Sequence, residues 1–299
     1  MLTIGFLDLE KQGDSTILLL PNSSSAIIID CPEVEPTWNY IKQNQIQQIE
    51  VIFLTHFDYD HVGGKVRGDF EGVIKFCNLA RKENIKIKEV RYNFPNAAKD
   101  GSLSVKSRII LESLIHLDNI GIIERRENRA EASTQLEFFD VKIRIIYPTS
   151  NDLEECFVSK SCRNEGCIVL ISEYNNKKVL FGADLISKGW KKIVKRGINI
   201  SANLFRYPHH GEFFEKSTDQ KISTKELLAL LNPNVTIISA NKDDSPKHPN
   251  PKTIKELGRL CSIKDNFIFL CTRGMPGQQR SIEGQSFKKF RGKKNLCAG

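Results

Sequence analysis

The decapeptide at residues 55–64, THFDYDHVGG, constrains what this chain can form more than any other segment. Two imidazoles and two carboxylates stand close together in it, on His56, Asp58, Asp60 and His61. The apolar run at residues 51–54 has the length and residue types of a buried strand. Nitrogen and carboxylate ligands together suit zinc, manganese or iron. We therefore predict a metal site where this strand ends, and a polar turn with two surface histidines is the alternative.

Other candidate ligands also follow strand-like segments. The apolar run at residues 178–183 ends in a turn of small residues and a carboxylate. Two more polar turns, at residues 206–211 and 247–251, come after apolar runs. Because strand ends at one edge of a sheet can gather residues far apart in sequence, we expect these polar side chains to meet the first loop. The candidates in these turns are Asp184, His209, His210 and His248.

The sixth histidine, His116, lies outside these polar turns. Its segment is amphipathic, so we expect a partly buried histidine on a helix with no ligand role. Residues 151–163 are polar and predict a loop. Elsewhere the patterns predict helices near 36–44, 188–196, 225–231 and 251–260, and strands near 85–92, 135–147 and 164–184.

The order and spacing of these motifs resemble the metallo-β-lactamase fold. They are most similar to the branch formed by the hydrolase domain of the DNA-uptake protein ComEC and its free-standing relatives. The resemblance covers about residues 3–275 and rests on segments 6–15, 27–30, 55–64 and 147–148, Asn164, the Asp184 turn, and segments 208–211 and 248–251. It implies an α/β fold, a four-layer αββα sandwich with a metal site at the edge of its two sheets.

The resemblance also implies two divalent metal ions, zinc or manganese, bridged by Asp184. The remaining ligands divide between the ions, with His56 and Asp58 on one, and with Asp60, His61 and one of His209 or His210 on the other. Asp60 would in addition orient the attacking water. His248 would contact the substrate or protonate its leaving group. Asp60 and His248 are therefore the candidates for catalytic roles.

Further residues are expected to act around the metal ions. The candidates for substrate contacts, besides His248, are Asn164, Lys191 and Lys192. The candidates for positioning the metal loop are Asp8 and Asp14, in the opening motif.

Two departures from the wider family bear on the metal. Asp58 stands where the family pattern has a histidine, and no histidine fills the place near Asn164. The first subsite is therefore rich in oxygen, which favours a harder ion such as manganese and weakens binding there. Two other departures remove no ligand: Ala183 before Asp184, and Glu212 in place of the usual serine.

The net charge of +8 suits a polyanionic partner. Basic residues concentrate at 188–196 and in the tail at 286–299, although a solvated helix face and a frayed terminus would look the same. Together with a metal site, this charge favours a phosphodiesterase or nuclease acting on DNA or RNA. The alternative is a small-molecule hydrolase acting on a cyclic nucleotide, a phosphodiester headgroup or a thioester. A third, weaker alternative is a binding module with a decayed site.

No stretch approaches the roughly 18 apolar residues of a membrane span, and the N-terminus lacks a basic and then apolar leader. We therefore expect a cytoplasmic protein without membrane contact. The eight cysteines show no close zinc spacing and predict reduced thiols. We expect residues 1–285 to form a single domain in two halves, followed by a basic tail at 286–299.

Overall fold

The computed structural model describes residues 1–7, 9, 13–21, 23–66, 68–93, 105–158, 164–239, 248–272 and 280–282. Its first half contains β1 (Thr3–Phe6), β2 (Thr16–Leu19), β3 (Ser25–Ile29), α1 (Val34–Gln43), β4 (Gln48–Leu54), α2 (Tyr59–Val62), β5 (Lys65–Val66), β6 (Asp69–Phe70), α3 (Val73–Lys82), β7 (Lys86–Tyr92), α4 (Val105–Asn119) and β8 (Ile123–Glu127). The basic tail and Asp8 lie outside the described residues, so the predicted domain boundary stays a prediction.

The second half contains β9 (Gln135–Phe138), β10 (Val141–Tyr147), α5 (Ser150–Val158), β11 (Val169–Tyr174), β12 (Lys177–Phe181), α6 (Ser187–Lys195), β13 (Leu204–Arg206), a 3-10 turn (His209–Gly211), α7 (Thr224–Leu231), β14 (Val235–Ile238), α8 (Pro251–Ile263), β15 (Ile268–Cys271) and β16 (Arg280–Ile282). One seven-stranded sheet has the order β16-β1-β2-β3-β4-β7-β8, and the other has the order β15-β14-β13-β12-β11-β10-β9.

Three apolar clusters hold these elements in four layers. One cluster lies between the two sheets and includes Phe53 and Phe181. A second fills the space between the first sheet and α1, α3 and α4, and a third lies between the second sheet and α6, α7 and α8. The predicted αββα sandwich is therefore confirmed.

Strand β4 is apolar along its length because both of its faces are covered. Ile52 and Leu54 point toward the helices, whereas Val51 and Phe53 point between the sheets. The strand pairs in parallel with β3 and with β7, as buried strands of this composition commonly do. The buried strand ends at Leu54, and the polar loop of residues 55–58 begins directly after it.

The parallel strands of each sheet bring their carboxyl ends to one edge. In the second sheet β12, β13, β14 and β15 are mutually parallel, and in the first sheet β3 and β4 are parallel. Loops that leave parallel strands emerge on the same side of a sheet. Ligands delivered by separate strands therefore meet at this edge.

The predicted loop at residues 151–163 is wrong over its first part, because α5 covers Ser150–Val158. The helix starts with a capping box that the sequence carried. Asp152 Oδ2 accepts from the Thr149 backbone N–H at 2.9 Å, and Asp152 N donates to Thr149 Oγ1 at 3.3 Å. Leu153 and Cys156, three residues apart, form the buried face. Residues 159–163 lie outside the described residues.

The burial expected for His116 is also wrong. His116 lies on α4, as predicted, but its side chain is exposed. Leu114 and Leu117 occupy the face of the helix that packs on the first sheet, and they leave His116 turned outward. The predicted helices near 36–44, 188–196, 225–231 and 251–260 correspond to α1, α6, α7 and α8.

The described cysteines carry free thiols: Cys31, Cys77, Cys156, Cys167, Cys261 and Cys271. Over the same described ranges, every helix is too short or too polar to cross a membrane.

Candidate metal centre

Four side chains from both halves of the molecule meet at the edge of the sheets. Each brings one ligand atom to within 4.8 Å of the others, and we call this group, Asp60, His61, Asp184 and His210, the inner cluster. His61 Nε2 lies 3.3 Å from Asp184 Oδ1, and His210 Nε2 lies 3.2 Å from Asp60 Oδ2. Within the described part of the chain, no other group of three or more such residues meets this spacing.

Local backbone structure explains how the ligands converge. Asp60 and His61 lie in the single-turn helix α2 directly after the loop that leaves β4, and Asp184 follows β12. The 3-10 turn after β13 carries His210, whose backbone has left-handed dihedrals, with φ 48° and ψ 28°. His209 N–H donates to the Ala183 carbonyl at 2.9 Å, so the turns after β12 and β13 are joined beside Asp184.

Several ligand atoms are buried without a hydrogen bond. They are His56 Nε2, His61 Nε2, His210 Nε2 and Asp184 Oδ1. Buried polar atoms are nearly always partnered, because an unpartnered one costs free energy. A divalent cation would partner the members of the inner cluster together, and two nitrogens with two carboxylates are donors that zinc, manganese and iron accept. The residues therefore fit the metal that the sequence motifs predict.

A buried carboxylate orients His61. Asp30 Oδ2 lies 2.7 Å from His61 Nδ1, and the same carboxylate accepts from the Thr55 backbone N–H at 2.7 Å and from the Thr55 hydroxyl at 2.6 Å. Asp30 thus holds the proton on Nδ1 and turns the Nε2 lone pair toward the cluster. Asp30 is a site residue that is not among those predicted from the sequence. Its place directly after the apolar strand β3 was the available signal.

A backbone carbonyl orients His210 in the same way. His210 Nδ1 lies 2.9 Å from the carbonyl oxygen of Ser239, the residue that follows β14. This leaves Nε2 facing the cluster. The sequence left open which of His209 and His210 joins Asp60 and His61, and the structure brings His210 into the inner cluster.

The charges of the inner cluster stabilise one another. Burial opposes ionisation of Asp184, but His210 and His61 outweigh it and hold the pKa of this carboxyl well below its usual range. Burial also disfavours protonation of His210, yet Asp184 and Asp60 raise its pKa to about 9. Burial lowers the pKa of His56 to about 3, so this imidazole is neutral and able to ligate. A bound cation would replace the protons of the cluster.

A second set of predicted site residues, three candidate ligands and one candidate substrate contact, flanks the inner cluster. We call it the flanking cluster: His56, Asp58, Asn164 and His209. His56 Nε2 lies 3.8 Å from Asp184 Oδ2 and 3.9 Å from Asp58 Oδ2, and the Asp58 side chain is 33% exposed. Asn164 Nδ2 lies 3.3 Å from His209 Nε2. His56 Nε2 is therefore farther from its two carboxylate neighbours than His61 Nε2 is from Asp184 or His210 Nε2 is from Asp60.

Two histidines lie side by side next to the inner cluster. The ring of His248 stacks on that of His209 with centroids 5.8 Å apart and an angle of 27°, and its centroid lies 6.3 Å from that of His210. On the other side of His209, Nδ1 lies 2.7 Å from Glu212 Oε2. Glu212, which replaces the family's serine, therefore orients His209.

The two lysines predicted to contact substrate are paired with carboxylates. Lys191 Nζ lies 3.3 Å from Glu226 Oε1, and Lys192 Nζ lies 3.0 Å from Asp152 Oδ1 and 2.6 Å from Glu155 Oε2. Their role toward substrate stays a prediction.

Asp14 lies against the metal loop, where its backbone N–H donates to the Asp60 carbonyl at 3.0 Å. Its carboxylate pairs with Arg206, a contact that the sequence does not indicate because the two residues are far apart along the chain.

A layered αββα sandwich with a histidine and carboxylate cluster at its sheet edge is the architecture of a metal-dependent enzyme. Residues 11–240 match the family described as the Metallo-beta-lactamase superfamily. The chain therefore belongs to that superfamily, which is a superfamily of metal-dependent hydrolases.

One curated relative is ComE operon protein 3 of Bacillus subtilis (strain 168), to which the chain is 23% identical over 268 residues. The match covers 83% of this chain and 30% of that protein, so the chain spans less than a third of the relative's length. The likeness to the ComEC branch is therefore a distant one.

Two solved structures share the fold. CmlA, a diiron beta-hydroxylase from Streptomyces venezuelae, matches with a TM-score of 0.57 and 11% identity, over 94% of this chain and 54% of its own. Tm1679, a metal-dependent hydrolase of the beta-lactamase superfamily, matches with a TM-score of 0.51 and 11% identity, over 96% of this chain and 100% of its own. At such identities these likenesses concern the fold alone.

Proposed function

We propose that this chain is a metal-dependent phosphodiesterase that cleaves DNA or RNA. The observation that carries the proposal is the inner cluster, in which buried ligand atoms of His61, His210 and Asp184 converge without hydrogen bonds. The net charge of +8 and the resemblance of the motifs to the ComEC branch support a polyanionic substrate.

Asp60, His61, Asp184 and His210 would hold the tighter metal ion. A divalent cation supplies a Lewis acid that activates water and offsets charge developing on a scissile phosphate. His56 and Asp58 would serve a second, weaker ion that shares Asp184. Because this second subsite is rich in oxygen, it favours manganese.

Asp60 is suited to orient the attacking water. Burial raises the pKa of its carboxyl, but the interaction with His210 outweighs burial and holds this pKa below the usual range. Asp60 is therefore an anion at neutral pH. Its side chain is 28% exposed, so substrate and water can reach it. An anionic oxygen at the mouth of the site accepts a hydrogen bond from water and turns a lone pair toward the substrate.

His248 is suited to contact the phosphate or to donate a proton to the leaving oxygen. It stacks on His209 next to the inner cluster, and it is partly exposed. An imidazole donates near neutral pH, which a leaving alkoxide requires. Asn164 places a neutral donor next to the same histidine pair.

One observation favours a small-molecule hydrolase as the second candidate. Four of the basic residues at 188–196 lie next to carboxylates and are partly neutralised: Lys188 by Glu165, Lys191 by Glu226, and Lys192 and Arg196 by Asp152. This face of α6 therefore attracts a polyanion less strongly than its sequence indicates. A cyclic nucleotide, a phosphodiester headgroup or a thioester needs no such surface.

A substrate panel distinguishes the two candidates. We would measure turnover of single-stranded DNA, duplex DNA, RNA, a cyclic nucleotide, bis-p-nitrophenyl phosphate, a thioester and a lactam, with manganese and with zinc. Asp184→Asn neutralises the carboxylate that would serve both ions, and His116→Ala is the control because His116 is exposed on α4. We expect polynucleotide cleavage in the wild type and in His116→Ala, and its loss in Asp184→Asn.

The salt dependence of substrate affinity tests directly whether the substrate is a polyanion. Each phosphate contacted on a single strand contributes roughly 0.7 to the slope of log affinity against log salt. Reversing the charges of Lys191 and Lys192 would flatten this slope and leave hydrolysis of the small diester intact. Salt-independent turnover of every polynucleotide, together with fast cleavage of a small diester, would favour the second candidate.

A further inference from the structure

A buried ion pair joins the two halves of the molecule behind the inner cluster. Arg206, at the end of β13, is 2% exposed, and Asp14, just before β2, is 8% exposed. Arg206 Nη2 lies 2.5 Å from Asp14 Oδ2, and Arg206 Nε donates to Asp14 Oδ1 at 3.2 Å. Two parallel contacts of this kind fix the direction of both side chains as well as their distance.

The Asp14 end of this pair is attached to the metal loop. Asp14 N–H donates to the backbone carbonyl of Asp60 at 3.0 Å. A Cβ added to Gly13, where φ is +154°, would lie 2.6 Å from the same carbonyl oxygen and 2.7 Å from Pro32 Cγ. The turn at Gly13 and Asp14 therefore approaches Asp60 as closely as a glycine backbone allows.

The same turn is attached to the support of His210. The Ser239 hydroxyl donates to the Gly13 carbonyl at 2.9 Å, and the Ser239 carbonyl oxygen lies 2.9 Å from His210 Nδ1. Arg206 lies four residues before His210 on the same strand and turn, and its Nη1 donates to the Tyr207 carbonyl at 3.2 Å. One turn thus contacts the backbone of Asp60 on one side and the partner of His210 on the other.

We propose that Arg206 and Asp14 are positioning residues that hold Asp60 and His210 at the spacing a metal ion requires. The ion pair locks the turn at Gly13 and Asp14 between the two sheets, and the turn holds the two ligands through their backbones. Buried ion pairs contribute little net stability, because desolvation offsets their attraction, whereas their geometry is strongly directional. The pair therefore serves the geometry of the cluster more than the stability of the fold. The positioning role of Arg206 and Asp14 does not depend on which substrate the enzyme cleaves.

The test replaces both charges together, as Asp14→Asn with Arg206→Met, so that neither is left buried alone. The measured quantity is the affinity for manganese and for zinc, by competition with a chromophoric chelator. Removing the partners that position ligands costs metal sites about 10-fold to 100-fold in affinity, and we expect a loss in that range. The unfolding temperature of the metal-free protein is measured in parallel and should change little.

A second ion pair provides the control. Arg126 Nε lies 3.1 Å from Asp118 Oδ2 and joins α4 to β8 within the first half of the chain. Asp118→Asn with Arg126→Met removes an Arg–Asp pair that is less buried and touches neither Asp60 nor His210, and we expect metal affinity to stay at the wild-type value. Arg206→Lys keeps the charge but loses the two parallel guanidinium contacts to Asp14. Its metal affinity should therefore lie between that of the wild type and that of the Asp14→Asn, Arg206→Met variant.

Each outcome decides the inference. Wild-type metal affinity in the folded Asp14→Asn, Arg206→Met protein would overturn it, as would a loss of thermal stability without a loss of affinity. If that double variant does not fold, Arg206→Lys decides, and unchanged metal affinity there would equally overturn the inference. A wild-type protein that binds no metal would instead refute the proposed function.

Discussion

The inner and flanking clusters contain similar side chains but differ in what supports them. In the inner cluster, Asp30 binds the second nitrogen of His61, and the Ser239 carbonyl binds that of His210. In the flanking cluster, His209 has the Glu212 carboxylate behind it, but the partner of His56 is a hydroxyl: His56 Nδ1 lies 3.2 Å from the Thr55 hydroxyl, which also donates to Asp30. Partners behind a ligand fix its orientation and strengthen metal binding. We therefore expect a tight subsite at the inner cluster and a weak subsite at His56 and Asp58, which is also the oxygen-rich subsite that the sequence predicts to bind metal more weakly.

The largest effect is expected for His61→Ala. The change removes a ligand and leaves the buried Asp30 carboxyl without its imidazole partner, and breaking a buried charge pair costs about 3–5 kcal/mol. We expect the tighter metal to be lost, as measured by elemental analysis of the purified protein. His116→Ala is the control and should keep its metal. Full metal content in His61→Ala would refute the assignment of the inner cluster.

The next largest effect is expected for His248→Ala, which tests a residue beside both clusters. His248 is assigned to the substrate, so the variant should keep its metal and lose turnover. Help from a general acid is worth roughly a hundredfold to ten-thousandfold in rate. Steady-state kinetics on a phosphodiester, with metal content measured on the same sample, checks this. Loss of metal in this variant would instead show that His248 is a metal ligand, and the membership of the clusters would have to be revised.

A smaller effect is expected for Asp30→Asn, which weakens the support of the inner cluster without removing a ligand. The amide cannot hold the His61 proton as the carboxylate does. We expect metal affinity to fall by about 10-fold to 100-fold, as measured by chelator competition. An unchanged affinity would mean that the support behind His61 does not explain why the inner cluster is the tighter one.

The smallest effect is expected for Asp58→Asn, which alters the flanking cluster alone. The first equivalent of metal should bind as in the wild type, and only the second should weaken. Calorimetric titration separates the two. If the first equivalent were weakened instead, the order of the two subsites would be reversed.

The sequence predicted the architecture of the site because its signals are local. The apolar residues of β4 and the polar loop after them are contiguous, and both faces of that strand are buried as its composition requires. Asp184 likewise follows its strand directly. Such positions can be identified one segment at a time, and their meeting follows from the parallel order of the strands.

The rest depended on contacts between distant segments. The local sequence does not show which of His209 and His210 is the ligand. The backbone of the 3-10 turn directs His210 toward the Ser239 carbonyl and His209 toward Glu212, and this backbone path is not evident from the residues. The local sequence could not pair Arg206 with Asp14 either, since nothing near either residue signals the other. The wrong loop prediction at α5 has a different cause, because the capping box from Thr149 to Asp152 is a local signal that the sequence contains.

Calorimetric titration of the metal-free wild-type protein with manganese is the decisive measurement for the two unequal metal subsites. It measures the number of ions and the affinity of each without any assumption about substrate. We expect two phases, a tight first equivalent that His61→Ala abolishes and a weaker second equivalent that Asp58→Asn diminishes. A single phase of two equal sites would contradict the inequality of the clusters. The absence of binding would contradict the metal centre itself.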